Sequence, residues 1–174
     1  ATGDIIYRDL DNSGDITAEG DKTIIGNANP DFTYGFTNTF KYKGFGLSVF
    51  LQGAQGNDIF NATRIETEAM TDFKSQSSAV LNRWQQPGDV TDIPRAVLGD
   101  KTNSDLSSRF IEDGSYLKIR TLTFSYDFHK QVEDKTFLTK LRLYLTAEDV
   151  ATCTKYSGYA PELIALGPNN LVPG

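Results

Sequence analysis

The sequence predicts an all-β chain of long, two-faced strands, and three observations carry that prediction. From Phe32 to Tyr42 every second residue is apolar or aromatic apart from Asn38, with Thr33, Gly35, Thr37, Thr39 and Lys41 between them, the period-2 signature of a strand with two different faces. The same alternation restarts after Gly44, and it returns in YLKIRTLTFSYDF from Tyr116 and LTKLRLYLTAEDV from Leu138. The connections between these stretches alternate, a short one at Lys43-Gly44, a long one from Ala54 to Gly114, and a short one from Lys130 to Phe137.

Taken in order, Asp9 to Asp21 (DLDNSGDITAEGD) opens like a calcium loop. Asp9, Asp11 and Ser13 stand at its first, third and fifth positions, Gly14 at the sixth makes the sharp turn, and Asp15 at the seventh offers a backbone carbonyl. Alternating oxygen ligands suit a hard cation. The twelfth position is Gly20, so the closing carboxylate must be Glu19 or Asp21. The expected ion is a structural Ca²⁺; an acidic Asx turn without metal is the competing reading. No organic cofactor is indicated.

The stretch Asn29 to Gly53 reads as a hairpin. A two-residue loop at Lys43-Gly44 pairs Tyr42 with Phe45, Phe40 with Leu47, Asn38 with Val49 and Phe36 with Leu51, giving one almost wholly apolar face. The other face pairs Lys41 with Gly46, Thr39 with Ser48, Thr37 with Phe50 and Gly35 with Gln52. In the long connection, Ala62 to Trp84 has helix-compatible spacing (Ile65, Ala69, Phe73, Val80, Leu81, Trp84), ended by Gln86-Pro87-Gly88-Asp89. Trp84 reads as packing rather than as a stacking platform. In the next strand Leu122, Phe124, Tyr126 and Phe128 share a face, and in the last Leu141, Leu143 and Leu145 oppose Arg142, Tyr144 and Thr146.

Such strands suit either a soluble β-sandwich or a membrane barrel. Soluble strands have a mode near 5–6 residues, whereas a tilted membrane-spanning strand needs about 9–11. Long connections on one side and short turns with aromatic girdles on the other mark outer-membrane barrels. Other classes fall away. A net charge of −6 across 174 residues, with no basic stripe, speaks against nucleic acid. One cysteine, Cys153, excludes an internal disulfide framework, and one histidine, His129, leaves no His-dependent triad or multi-histidine metal site. No apolar run is long enough for a transmembrane helix, which is silent on barrels. A glycosidase would need paired carboxylates; Glu112 and Asp113 are neighbours on a strand and point to opposite faces, so no enzyme is expected.

Several stretches have a familiar wording in a fixed order: DLDNSGDIT, TIIGNANPDFTYGF, FKYKGFGLSVFLQGAQGNDIFN, RW with QPGDVTDIPRA, SSRFIEDGSYLKIRTLTFSYDF and TKYSGYAPE. From about Gly3 to Glu162 the chain resembles the C-terminal barrel region of SusC-like, TonB-dependent outer-membrane transporters. The resemblance implies a section of a transmembrane antiparallel β-barrel of about 22 strands, with long extracellular loops and a short helix in one of them. On it, residues 1–30 are an extracellular acidic loop, 31–53 a strand hairpin, 54–114 an extracellular loop, 115–150 a second hairpin, and 151–174 an extracellular loop and atypical tail. It also implies an N-terminal plug, TonB, a SusD-like surface lipoprotein, the lipid bilayer and an oligosaccharide or peptide cargo as partners. The chain departs from the family at Ala147 to Cys153, at Ala160, and after Glu162, where no final amphipathic strand follows. Four or so strands cannot close a barrel, and an open edge is not viable in lipid, so the chain is expected to be part of something larger. The runner-up is a secreted calcium-loop β-sandwich that binds glycan.

Overall fold

The computed structural model describes residues 2–100, 102–128 and 141–162. His129, the connection from Lys130 to Phe137 and the tail after Glu162 lie outside the described residues. The chain divides into two compact units, one of residues 28–58 and 113–156, the other of residues 1–27, 59–112 and 157–162.

The first unit is a four-stranded antiparallel sheet. Its strands are β1 (Phe32–Tyr42), β2 (Phe45–Gln55), β5 (Tyr116–Asp127) and β6 (Arg142–Thr154), in the order β1-β2-β5-β6. Between β2 and β5 in sequence come two short paired strands, β3 (Asp58–Phe60) and β4 (Ile111–Asp113). Lys43 and Gly44 both have left-handed backbone, φ 47° and 89°. That is the two-residue turn whose twist matches the flanking strands, and it fixes the β1–β2 register at Tyr42 opposite Phe45 and Phe36 opposite Leu51. Every expected cross-strand pair of this hairpin is present.

Pairing of β2 with β5 and of β5 with β6 extends each pair into a rung across the sheet. On one face the rungs are Tyr42-Phe45-Tyr126-Leu143, Phe40-Leu47-Phe124-Leu145, Asn38-Val49-Leu122-Ala147, Phe36-Leu51-Ile119-Ala151 and Tyr34-Gly53-Leu117-Cys153. Asn38 is the one strongly polar member. The opposite face carries Lys41-Gly46-Ser125-Tyr144, Thr39-Ser48-Thr123-Thr146, Thr37-Phe50-Thr121-Glu148 and Gly35-Gln52-Lys118-Thr152. Hydroxyl pairs knit it, Thr39 to Ser48 at 3.3 Å and Thr123 to Thr146 at 3.1 Å.

Strict alternation would put Ile119 and Thr121 on the same face. A bulge at Arg120, seen as a register shift against both β2 and β6, changes the phase, so Ile119 and Leu117 join the apolar face while Lys118 joins the polar one. Asp149, in left-handed backbone (φ 51°), lies in the matching irregularity of β6 and pairs with Lys118 at 2.9 Å. At Gly53 the Tyr34 ring fills the missing side chain's place: a Cβ there would come within 2.3 Å of it. β2 runs to Gln55 and β6 to Thr154, both past the boundaries expected at Gly53 and Val150.

The apolar face is not a covered core. Phe40 is 57% exposed and Leu145 74%, and among the described residues the strands of 11 to 13 residues stand in one sheet without a facing one. A sandwich would bury this face; a barrel turns it to lipid.

The second unit has its own small core, Met70, Val80 and Ile93 with Ala79 against them, and Phe110, 1% exposed. The helix expected over Ala62–Trp84 is only α1, Ala62–Glu68. Met70 in left-handed backbone (φ 53°) terminates it. Asp72 then accepts the Lys74 backbone N–H, and Ser77 caps a 3₁₀ turn, Ser78–Asn82, by accepting from the Ala79 backbone. Short polar side chains here capture backbone donors that a continued helix would have used. Trp84 packs: a Cβ on Gly3 would lie 2.4 Å from its ring, and the Gly3 carbonyl accepts the Arg95 backbone N–H.

Candidate functional site

The acidic loop folds around backbone donors. Asp9 accepts from the Ser13 and Gly14 amides at 3.2 and 2.9 Å, and Asp11 from Ser13 at 3.0 Å. Asp21 reaches back to the Leu10 and Thr17 amides, both at 2.7 Å. Asn12 (φ 58°) and Gly14 (φ 90°) make the turns. Gly20, at the twelfth position, is needed for space: a Cβ there would sit 2.1 Å from an Asp11 carboxylate oxygen.

Consequently Asp9, Asp11 and Asp21 each present a carboxylate oxygen within 4.8 Å of the others. Glu19, the other candidate closer, does not join them. The Ser13 hydroxyl donates to the Asp15 carbonyl at 3.0 Å, so these two oxygens stand side by side. The hydroxyl and then the backbone N–H of Ser13 hold the Asp11 carboxyl below its usual range. Three clustered carboxylates, a hydroxyl and a carbonyl make an oxygen-only donor set, which suits Ca²⁺ better than a softer metal.

A second polar centre lies in the same unit. Arg64 donates from Nε and Nη2 to the two oxygens of Glu68 at 2.7 and 3.3 Å, and Arg109 Nη2 donates to Glu68 at 2.6 Å. Arg64 Nη1 also reaches Glu112 at 3.1 Å and the Arg109 carbonyl at 3.0 Å. Glu112 accepts in addition from Asn61 at 3.2 Å and from the Ser157 backbone and hydroxyl at 2.7 and 2.8 Å. Burial alone would raise the Glu112 carboxyl; the two Ser157 hydrogen bonds, then Asn61 and Arg64, outweigh it and leave it lowered. Burial lowers Arg109, while hydrogen bonding to Glu68 raises Arg64.

Two arginines and two glutamates cancel in charge, and the Ser157 hydroxyl beside them donates to Glu112 while accepting from Asn61. The cluster ties α1, β4 and the segment at Ser157 together. Glu112 and Asp113 do diverge, Asp113 accepting the Ser115 backbone N–H. Of this cluster only Glu112 stands out in the sequence; the i, i+4 spacing of Arg64 and Glu68 is the one local signal for the rest.

A four-stranded antiparallel sheet of long strands with an exposed apolar face, a polar face and a short helix in its longest connection is a section of a β-barrel. No family model matches the chain. It is 34% identical over 168 residues, 97% of its length, to TonB-dependent receptor P3 of Formosa agariphila, of which it covers 16%. It is also 34% identical to TonB-dependent receptor P39 of the same organism, matching over 99% of this chain and 17% of that one. To the TonB-dependent receptor SusC of Bacteroides thetaiotaomicron it is 25% identical over 88% of its length and 15% of SusC. Among solved structures, the RagAB peptide transporter superposes with a TM-score of 0.72 at 25% identity, over 86% of this chain and 16% of that one. The RagAB peptide importer in its closed-closed state gives 0.68 at 24%, a likeness of fold. The chain matches a section of SusC-like TonB-dependent receptors and spans 15–17% of the length of these curated relatives.

Proposed function

We propose that the chain is part of an outer-membrane, TonB-dependent active transporter that imports oligosaccharides or peptides together with a SusD-like lipoprotein. The observation that carries this reading is the set of five apolar rungs on one face of an 11- to 13-residue-strand sheet, the height of an outer-membrane apolar band. On this reading the apolar face meets lipid and the polar face lines the lumen. The connections 1–30, 56–115 and 155–162 are extracellular, and the Lys43-Gly44 turn is periplasmic. Chemistry is left to no residue here; the work is transport driven from the inner membrane. The full-length protein should fractionate with the outer membrane and need detergent for extraction. A strain lacking it should lose uptake of one cargo class, and collapsing the proton gradient should have the same effect in the parent. Extraction into plain buffer would refute the reading.

The juxtaposition of Asp9, Asp11 and Asp21 supports a second element: a structural Ca²⁺ that stiffens the extracellular loop, with the Ser13 hydroxyl and the Asp15 carbonyl as further ligands. Its affinity falls in the weak range of extracellular modules, a Kd of about 10⁻⁴–10⁻³ M. Limited proteolysis of the loop in calcium and in chelator tests it. Asp9→Ala with Asp11→Ala should be cut in calcium as fast as the parent is in chelator, and equal cutting of the parent in both removes the ion.

A further inference from the structure

The turn end of the sheet carries a pocket that the transport reading does not use. It is open, about 230 Å³, and walled by Lys41, Lys43 and Arg142, with Gly44, Gly46 and Ser125 beneath them. The two glycines are what make the floor. A Cβ on Gly46 would lie 2.5 Å from the Ser125 hydroxyl, and one on Gly44 2.9 Å from the Asp127 carbonyl. Arg142 is fixed by Asp127, which accepts from its Nε and Nη2 at 2.5 and 2.7 Å. Lys43 extends over the Tyr42 ring, 5.2 Å from its centroid. Among the described residues no carboxylate pairs with Lys41 or Lys43. Among the described residues three cations face one carboxylate at this pocket, in a chain whose net charge is −6.

The pocket lies at the level of an aromatic band. The Phe45 and Tyr126 rings meet tilted at 4.5 Å between centroids, Tyr126 and Phe128 meet edge to face at 4.6 Å, and Tyr42 stands on the same face as Phe45. In membrane proteins such bands sit where the headgroups lie.

We propose that this pocket binds a phosphate group, with Lys41 and Lys43 as point charges and Arg142 as an oriented donor. The pocket opens on the polar face at its turn end, so the phosphate is free phosphate from the aqueous side or the headgroup of an anionic phospholipid that reaches over the Lys43-Gly44 turn. The lipid source rests on the barrel reading; the pocket's affinity for phosphate does not.

The test uses the full-length transporter, compared with Lys41→Gln/Lys43→Gln, with the double arginine variant, and with Lys155→Gln as a remote control. In native mass spectrometry from detergent, phosphatidylglycerol should bind the double glutamine variant about 25-fold more weakly than the parent, roughly fivefold per lysine. Phosphatidylcholine should bind both alike, and the arginine variant should bind as the parent does. In a second arm, inorganic phosphate should protect Lys43 from acetylation in the parent and lose that protection when Lys41 is changed to Gln. Protection by phosphate without discrimination of phosphatidylglycerol assigns the site to free phosphate. Equal phosphatidylglycerol binding by parent and variant together with no protection by phosphate overturns the proposal. If the protein extracts into buffer and takes up neither lipid, the barrel reading has failed, and the acetylation arm still decides the pocket.

Discussion

Val49→Arg tests the lipid-facing assignment most directly. Val49 belongs to the third of five apolar rungs, between the Phe45 rung at the turn end and the Gly53 rung at the other. From Phe45 to Gly53 the strand advances about 27 Å at ~3.4 Å per residue. Tilted by about 40°, that becomes about 21 Å along the membrane normal. Val49 therefore lies about 10 Å from either end, near the midplane, where an arginine on the lipid face costs about 2–4 kcal/mol. Thr39→Arg places the same charge on the polar face one rung nearer the turn. There it loses the 3.3 Å hydroxyl contact with Ser48, about 0.5–1.5 kcal/mol at most. Denaturant unfolding of the full-length protein in lipid vesicles measures both. Val49→Arg should be the more destabilised by at least about 0.5 kcal/mol; equal losses, or the reverse order, would refute the assignment of faces.

Sidedness can be read with impermeant thiol reagents on intact cells: a cysteine at Ser104 should label, and one at Lys43 should not. Glu68→Gln leaves Arg64 and Arg109 without their shared carboxylate in a site where the Glu68 side chain is 5% exposed. It should lower the local opening free energy of residues 59–112 by about 3 kcal/mol, measured by hydrogen exchange. The lowered carboxyl of Glu112 contributes stability that is present above its unfolded value and lost as pH falls through the folded one. Protection of the Ser157 amide should therefore persist through the ordinary glutamate range and fail only below it, and in Glu112→Gln its pH dependence in that window should vanish.

The β1–β2 hairpin was legible because its register is set locally. Two residues able to take left-handed backbone, Lys43 and Gly44, fix Tyr42 against Phe45, and strict alternation does the rest. The pairing of β2 with β5 was not, since more than sixty residues separate them and no local signal names a partner. Alternation carried back past Thr121 would misplace Ile119. The bulge at Arg120 is written in backbone conformation, and its consequence, that Leu117 and Ile119 face the same way as Leu122, follows only once the neighbours are known. Periodicity failed again after Glu68, where Met70, Asp72 and Ser77 divert the backbone although the apolar spacing continues to Trp84. Of the acidic loop, the alternation of Asp9, Asp11 and Ser13 was plain, but the choice of Asp21 over Glu19 depends on where the backbone turns at Gly20.

The contrast between the units follows from what each buries. Over the sheet, apolar side chains stay exposed along five rungs, so the energetics of that face are set by its solvent: in water it is a liability, in lipid it is satisfied. The loop unit instead buries Phe110, Asn61 and Glu68, and a buried carboxylate persists only if donors meet it. Arg64 and Arg109 do so from α1 and from the turn before β4. A long connection built this way is not slack chain between strands. Its shape is set by the paired side chains of Arg64, Glu68, Arg109 and Glu112. The same logic separates Glu112 from a catalytic acid: every donor around it stabilises the ionised form, the opposite of what proton donation requires.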